Sequence, residues 1–413
     1  MISQDGTNLV FLLCTPRSGS SLLTTILQNH SAVFAAQEMW FLMGLYDLKV
    51  SPNRPYGGTG IVKRFYNGIV PDSIYDQACR KFALQIYNGL LQSGDARLIL
   101  DKSPRYYCIL EFLDRLFPQS KRVWLIRNPL AVLASYKKVY GGKGELHLTE
   151  ALVSESFDMK INDVTVGMLR YLDYFALDHP CTYKLYYEQL VDRPREVIQD
   201  ICEFLGIAYE EGIEKYGLYS KSTKADLFYS MGVGDPYVAQ HQEVHRESVD
   251  SWKTVLDKKE IELYCRAIGA KIFRDLGYND ELEAAEQIVG TRFDMGPDED
   301  MVHRRTNQLS AMTGCNWTDS YGIRRTGDVI QDKRTEESFV SPLKDKGEIL
   351  RLQMAYRTLE QRLTDSYDKQ QRIQAELERY RSKINRLKSL LPFSGRVMKW
   401  ADHHLFSSPE VKR

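Results

Sequence analysis

Along its first 280 positions the chain alternates short, unbroken apolar runs with longer stretches in which apolar residues recur at helical spacing. The unbroken runs Leu9–Cys14, Arg97–Leu100, Arg122–Ile126 and Tyr183–Tyr186 read as strands. A short apolar run with no polar alternation reads as a strand buried on both faces. Helical periods follow the runs: residues 22–27, 74–92, 110–117, from Leu130 onward, 164–178, 197–205 and 258–276. In the second of these, Ile74, Ala78, Phe82, Ile86 and Leu90 mark the face expected to be buried. Pro118 stops the third, and Gly206 closes the helix before it. The pattern predicts a large α/β domain in which buried strands and helices alternate.

Beyond this the pattern changes twice. Residues 281–345 are polar and show no sustained period, so they are expected to be a linker. Residues 346–391 then place Ile349, Leu352, Tyr356, Leu359, Leu363, Ile373, Leu377, Tyr380, Ile384, Leu387 and Leu391 in alternating steps of three and four, with Ser366 and Gln370 as the polar interruption. That is a heptad seam, and it predicts a coiled coil through which the chain forms a homo-oligomer. The alternative is a single helix packed back on the domain. Residues 392–413 mix aromatic and basic side chains, which suits a peripheral membrane or partner contact as well as a frayed end.

Composition narrows the function classes. Lys plus Arg and Asp plus Glu balance at 55 each, so no overall field draws in nucleic acid. Seven cysteines lie scattered without a C-x-x-C pair, which predicts free thiols in a reducing compartment and no zinc site. The first residues lack a basic start and a long apolar stretch, and no window approaches a spanning helix. A cytoplasmic location is the resulting expectation.

The stretch that carries chemistry is the turn after the first strand, Thr15-Pro16-Arg17-Ser18-Gly19-Ser20-Ser21. A strand, a small-residue turn and a helix together make an anion cradle, because N–H groups and the helix dipole face the turn. Gly19 permits close backbone approach, Arg17 adds a guanidinium fork, and Ser18, Ser20 and Ser21 add hydroxyls. The nucleotide-triphosphate loop G-x-x-x-x-G-K-[ST] is not matched, since no glycine stands four positions earlier and no lysine precedes the serine.

Three further places attract attention. Glu38 lies among Phe34, Ala35, Ala36, Met39, Trp40 and Phe41, where apolar surroundings disfavour the charged form and suit a general base; a surface glutamate is the alternative. Asp101-Lys102-Ser103-Pro104 ends the second expected strand, where open α/β sheets bind ligands, and Lys102 is placed to stabilise developing charge. Arg127-Asn128-Pro129 ends the third, and Ser135 follows about two helical turns on, so that both side chains converge on one ligand group. His147, in a polar stretch read as a mobile segment, is a second candidate base.

Together these motifs, in this order, resemble the sulfotransferases that use 3′-phosphoadenosine 5′-phosphosulfate (PAPS), with the bacterial and carbohydrate-type members nearest in style. The P-[KR]-S-G-[ST]-[ST] turn, the [DE]-K-[ST]-P segment and the R-[DN]-P…S pair carry the resemblance, which spans residues 9–280. It implies a P-loop-like three-layer α/β fold over 1–280, with a central parallel sheet flanked by helices, and metal-free transfer of a sulfuryl group from PAPS to a hydroxyl on a carbohydrate or glycolipid acceptor. By resemblance, Pro16, Arg17, Ser18, Gly19, Ser20 and Ser21 hold the 5′-phosphosulfate, and Arg127 and Ser135 the 3′-phosphate. Glu38 is then the base, assisted by Lys102 and Arg17. Ser248, Trp252 and Lys253 match a nucleotide-covering segment only loosely. Two other classes stay open: a small-molecule kinase with a divergent phosphate loop, and a non-catalytic coiled-coil scaffold.

Overall fold

The structure is a computed structural model that describes residues 1–50, 60–92, 94–141, 146–219, 244–318, 321–324 and 343–390. The chain divides into two compact units, Met1–Lys63 with Asp72–Phe339, and Arg64–Pro71 with Val340–Arg413.

The first unit is built on a five-stranded sheet, β1 (Leu9–Leu13), β2 (Val33–Ala35), β3 (Leu98–Lys102), β4 (Lys121–Ile126) and β5 (Thr182–Tyr186). The strands run in the order β2-β3-β1-β4-β5, and every pairing is parallel. β1 is wholly buried between β3 and β4, and Leu22, Leu23, Ile26 and Leu27 of α1 (Ser20–Gln28) pack against it with Val197, Ile198 and Ile201. From β1 the chain crosses to the edge strand β2, returns to β3 beside β1, and then passes to β4 and β5 on the other side, so the carboxyl ends of β1, β3 and β4 flank the point where the direction reverses, where such sheets place ligands. β2 is not apparent in the sequence pattern, because three residues are too few to display a period.

Two expectations about packing are corrected. The helix Asp72–Leu91 buries Tyr75, Cys79, Ala83, Leu84 and Tyr87, whereas Ile74, Phe82 and Ile86 of the predicted face are exposed. Two stripes of this helix are apolar enough to be buried, and contact with Phe41 and Phe117, on which the Tyr87 ring rests, selects the one with the tyrosines. The expected linker is also folded over much of its length. Asn279–Val289 and Glu299–Thr313 are helices that bury Leu282, Ala285 and Val289, and Met301, Arg305 and Leu309. One buried residue per turn suffices for a helix lying on a larger body, and so sparse a stripe is easily read as no stripe. The 258–276 helix breaks at Gly269, whose φ of 76° and close approach to Gly296 exclude a side chain.

Beyond these helices the chain returns to the core. The Trp317 indole donates to the Cys108 carbonyl at 3.3 Å and lies 4.0 Å from the Arg170 guanidinium. Gly322 N–H donates to Asp114 at 2.7 Å, and the buried Tyr321 ring meets Tyr174 edge-on. Tyr321→Ala is therefore expected to destabilise the first unit by about 3 kcal/mol or more, the cost of emptying a buried aromatic site. Chemical denaturation measures this, and a change below about 1 kcal/mol would show that the return segment is only adsorbed.

In the second unit, Leu343–Leu390 is one helix, and residues 64–71 lie along it. The Arg357 guanidinium and Thr358 hydroxyl donate to the carbonyls of Asn67 and Gly68. The expected loop over 50–70 is in part helical, as Ile61–Gly68. Its residues 51–59, the stretches 142–145, 220–243 and 325–342, and the 391–413 tail lie outside the described residues. No described helix is long and apolar enough to cross a membrane.

Candidate functional site

The turn after β1 has the backbone that a cradle requires. Gly19, the residue before α1, has φ 91°, and no side chain caps the helix. A Cβ on Gly19 would lie 2.3 Å from the Tyr187 ring, so glycine is needed for its conformation and for its space. Arg17 also has positive φ, at 71°, an uncommon state for a residue with a side chain. The surroundings hold it there. Its carbonyl accepts from Arg127 Nη1 at 2.8 Å, and its own Nε donates to Ser135 Oγ at 3.1 Å. Ser18 is buried with its hydroxyl 3.0 Å from that of Thr15. Ser20 is buried and Ser21 half-buried, and their carbonyls accept from the Thr24 and Thr25 hydroxyls. Pro16 is half-buried at the mouth of the turn.

Arg127, at the end of β4, joins three segments. Its Nη2 donates to the Ser248 carbonyl at 2.8 Å, and its guanidinium lies 4.4 Å from the centre of the Tyr187 ring. The Tyr187 hydroxyl in turn lies 2.7 Å from Ser248 Oγ. Burial pulls the Arg127 guanidinium below its ordinary value. Among the described residues its hydrogen bonds go to carbonyls and not to a carboxylate, and its Nε is buried without a partner. A buried cation in that state fits an anionic ligand. Glu188, the carboxylate whose charge acts on Arg127, is engaged elsewhere: it accepts from the Asn128 N–H at 3.0 Å, where the helix Pro129–Tyr140 begins, and from the Tyr278 hydroxyl at 2.7 Å.

Across the switch point, Glu38 follows β2 and meets the end of β3. The Met39 N–H donates to the Lys102 carbonyl and the Trp40 N–H to Ser103 Oγ, which fixes the segment against β3. Lys102 is 1% exposed and its Nζ donates to Glu38 Oε1 at 2.9 Å. The Trp40 indole donates to Oε2 at 2.6 Å. Glu38 thus sits in an ion pair at the rim of the site, in place of the apolar surroundings its sequence neighbours suggest. The arrangement holds a carboxylate with lone pairs to spare beside a buried ammonium. His147 is exposed at the start of the helix Leu148–Val153.

Trp252 is fully buried and its indole nitrogen has no partner among the described residues, while Lys253 is half-exposed in an ion pair with Asp250 at 2.9 Å. No hydrogen bond among the described residues ties either to the turn. The link between that segment and the cradle is Ser248. Tyr187 packs directly against the turn, and its only signal in the sequence is a tyrosine following an expected strand.

Beneath Lys102, Asp101 is buried and accepts from the Tyr87 and Tyr106 hydroxyls. Burial pushes its carboxyl up to about 6, against the pull of the two hydroxyls and Lys102. Between the unfolded value of about 4 and this native value, the folded state holds a proton that the unfolded state has released. Stability from this group is thus complete below about pH 4 and lost as pH rises through 6, on the order of 3 kcal/mol in all. Asp101→Asn is expected to flatten the stability–pH curve in that window, as read by urea unfolding. An unchanged slope would refute the assignment.

Residues 10–211 match the model of the sulfotransferase family. That segment belongs to the sulfotransferase family. Nodulation protein NoeE of Sinorhizobium fredii (strain NBRC 101917 / NGR234) is 27% identical over 294 residues, 67% of this chain and 67% of that protein. Protein-tyrosine sulfotransferase 2 of Gallus gallus is 25% identical over 217 residues, 50% of this chain and 53% of that protein. The chain thus spans about half to two thirds of these two relatives. Among solved structures, the sulfotransferase domain from the Synechococcus PCC 7002 olefin synthase aligns at a TM-score of 0.41 with 23% identity, covering 62% of this chain and 92% of that one. The matched segment contains all of the five-stranded sheet but Leu9, the 15–21 turn, the Glu38–Lys102 pair and Arg127.

Proposed function

We propose that this chain transfers the sulfuryl group of PAPS to a hydroxyl on a carbohydrate or glycolipid acceptor. The observation that carries the reading is the Glu38–Lys102 ion pair across the switch point from a cradle whose buried Arg127, among the described residues, bonds to carbonyls and not to a carboxylate. Arg127 and Ser135 are assigned to the 3′-phosphate, and the 15–21 turn with Arg17 to the 5′-phosphosulfate. The acceptor oxygen forms its bond to sulfur as the bond from sulfur to the 5′-phosphate oxygen breaks. Glu38 takes the hydroxyl proton, and Lys102 and Arg17 offset the charge developing on the sulfuryl and leaving phosphate oxygens. Half-buried Trp40 and Phe41 beside Glu38 present ring surface suited to a sugar. The seven free thiols support a reducing, cytoplasmic setting.

A tyrosyl acceptor is the second reading, favoured by the names of several relatives. Sulfate transfer from radiolabelled PAPS to a panel of oligosaccharides, glycolipids and tyrosine peptides separates the two. Label on saccharide hydroxyls is expected; label confined to tyrosine would replace the acceptor assignment. No transfer to any acceptor, with ATP bound in preference to 3′-phosphoadenosine 5′-phosphate, would move the reading to the kinase or scaffold class.

A further inference from the structure

The helix Leu343–Leu390 presents a seam that the other described residues of its own unit leave open. Leu352, Tyr356, Leu359, Leu363, Ile373, Leu377, Tyr380 and Ile384 are all exposed, along a seam of about 48 Å at 1.5 Å per residue. Residues 64–71 engage a different face, through Arg357, Thr358 and Asp365. A regular apolar seam of this length on a single helix is a surface awaiting a partner.

The order of residues along the seam says which partner. From Leu352 it runs Leu, Tyr, Leu, Leu, Ser366, and then Gln370, Ile, Leu, Tyr, Ile to Ile384. Read from either end the classes are the same: aliphatic, tyrosine, two aliphatics, polar. A helix turned end for end therefore lays aliphatic on aliphatic, Tyr356 on Tyr380, and Ser366 on Gln370, so that no buried amide faces an apolar side chain. Two-fold symmetry of this kind is what an isologous contact between identical chains demands, and no unrelated partner requires it.

The flanking positions agree. In the end-for-end register Arg362 faces Glu376 of the other copy, twice by symmetry. Tyr367, exposed on the monomer and off the main seam, meets its own copy at the dyad. Lys369 also meets its copy there, a like-charge contact. In the parallel register Arg362 would face Tyr367, and Glu376 would face Arg381.

We infer that this chain forms a homodimer through an antiparallel coiled coil of the 343–390 helix, with its dyad between Ser366 and Gln370. Sedimentation equilibrium of the full chain is expected to give twice the chain mass. Leu359→Asp combined with Leu377→Asp is expected to give a monomer that still cooperatively unfolds and keeps its far-ultraviolet signature of the α/β unit. Arg362→Glu or Glu376→Arg alone is expected to raise the dimer dissociation constant by about tenfold, from two lost pairs and two repulsions. The double swap Arg362→Glu with Glu376→Arg is expected to restore it. In a parallel dimer the double swap would not restore binding, because position 376 would then set an arginine against Arg381. A monomeric wild type, a higher oligomer, or a dimer weakened further by the double swap would each overturn the inference.

Discussion

Glu38→Gln is expected to lower the turnover of sulfate transfer by about two to four orders of magnitude, the usual contribution of a positioned general base. The substitution keeps the side chain's length and one acceptor oxygen. It removes the negative charge facing Lys102 at 2.9 Å and the capacity to take a proton. Because Lys102 and the Trp40 indole both donate to this carboxylate, one of them loses its acceptor, at a cost of about 1–3 kcal/mol in stability. The two effects separate experimentally. Affinity for 3′-phosphoadenosine 5′-phosphate is expected to stay within a few-fold of wild type, since no hydrogen bond joins Glu38 to the cradle among the described residues. Glu38→Asp retains the charge one methylene short and is expected to recover part of the rate. A Glu38→Gln chain that is folded and within tenfold of wild-type turnover would reduce the pair to a structural tie between β2 and β3.

Arg127→Ala is expected to weaken binding of 3′-phosphoadenosine 5′-phosphate by about two to three orders of magnitude, measured by titration calorimetry. Two charge-assisted hydrogen bonds to a phosphate account for this, at roughly 1.5–3 kcal/mol each before losses. The guanidinium also clasps the Arg17 carbonyl and the Ser248 carbonyl, so its removal loosens a turn residue held at positive φ. Arg127→Lys separates the roles. An ammonium carries the charge but cannot span both carbonyls and a phosphate with one planar fork. Affinity recovered only in part by lysine is the expected result; alanine binding as well as wild type would remove Arg127 from the donor site.

What was legible in the sequence was local. The 15–21 turn could be read because the strand, the glycine, the arginine and the helix start are consecutive, and their backbone geometry follows from residue type. Lys102, Arg127 and Ser135 could be placed because β3 and β4 are short apolar runs that end sharply in charge. The long helix was legible for the same reason, since a heptad period needs no knowledge of anything distant.

The tertiary structure alone decided the rest. Periodicity says that the helix Asp72–Leu91 has an apolar face, but its neighbours Phe41 and Phe117 determined that the Tyr75–Tyr87 stripe is the buried one. The helices 279–289 and 299–313 escape notice because one buried residue per turn is enough once a larger surface exists to lie on. The apolar neighbours of Glu38 suggested desolvation, yet its actual surroundings are Lys102 and an indole N–H brought from the end of another strand and from its own turn. The clasp of the cradle is likewise non-local: Arg127 reaches Arg17 across 110 positions and Ser248 across 121, and Tyr187 fills the space that Gly19 leaves. Residue type and spacing determine which groups are able to act on an anion. Only the packing of β1 between β3 and β4 determines which of them meet, because contacts between distant segments depend on burial summed over the whole core and on no local pattern.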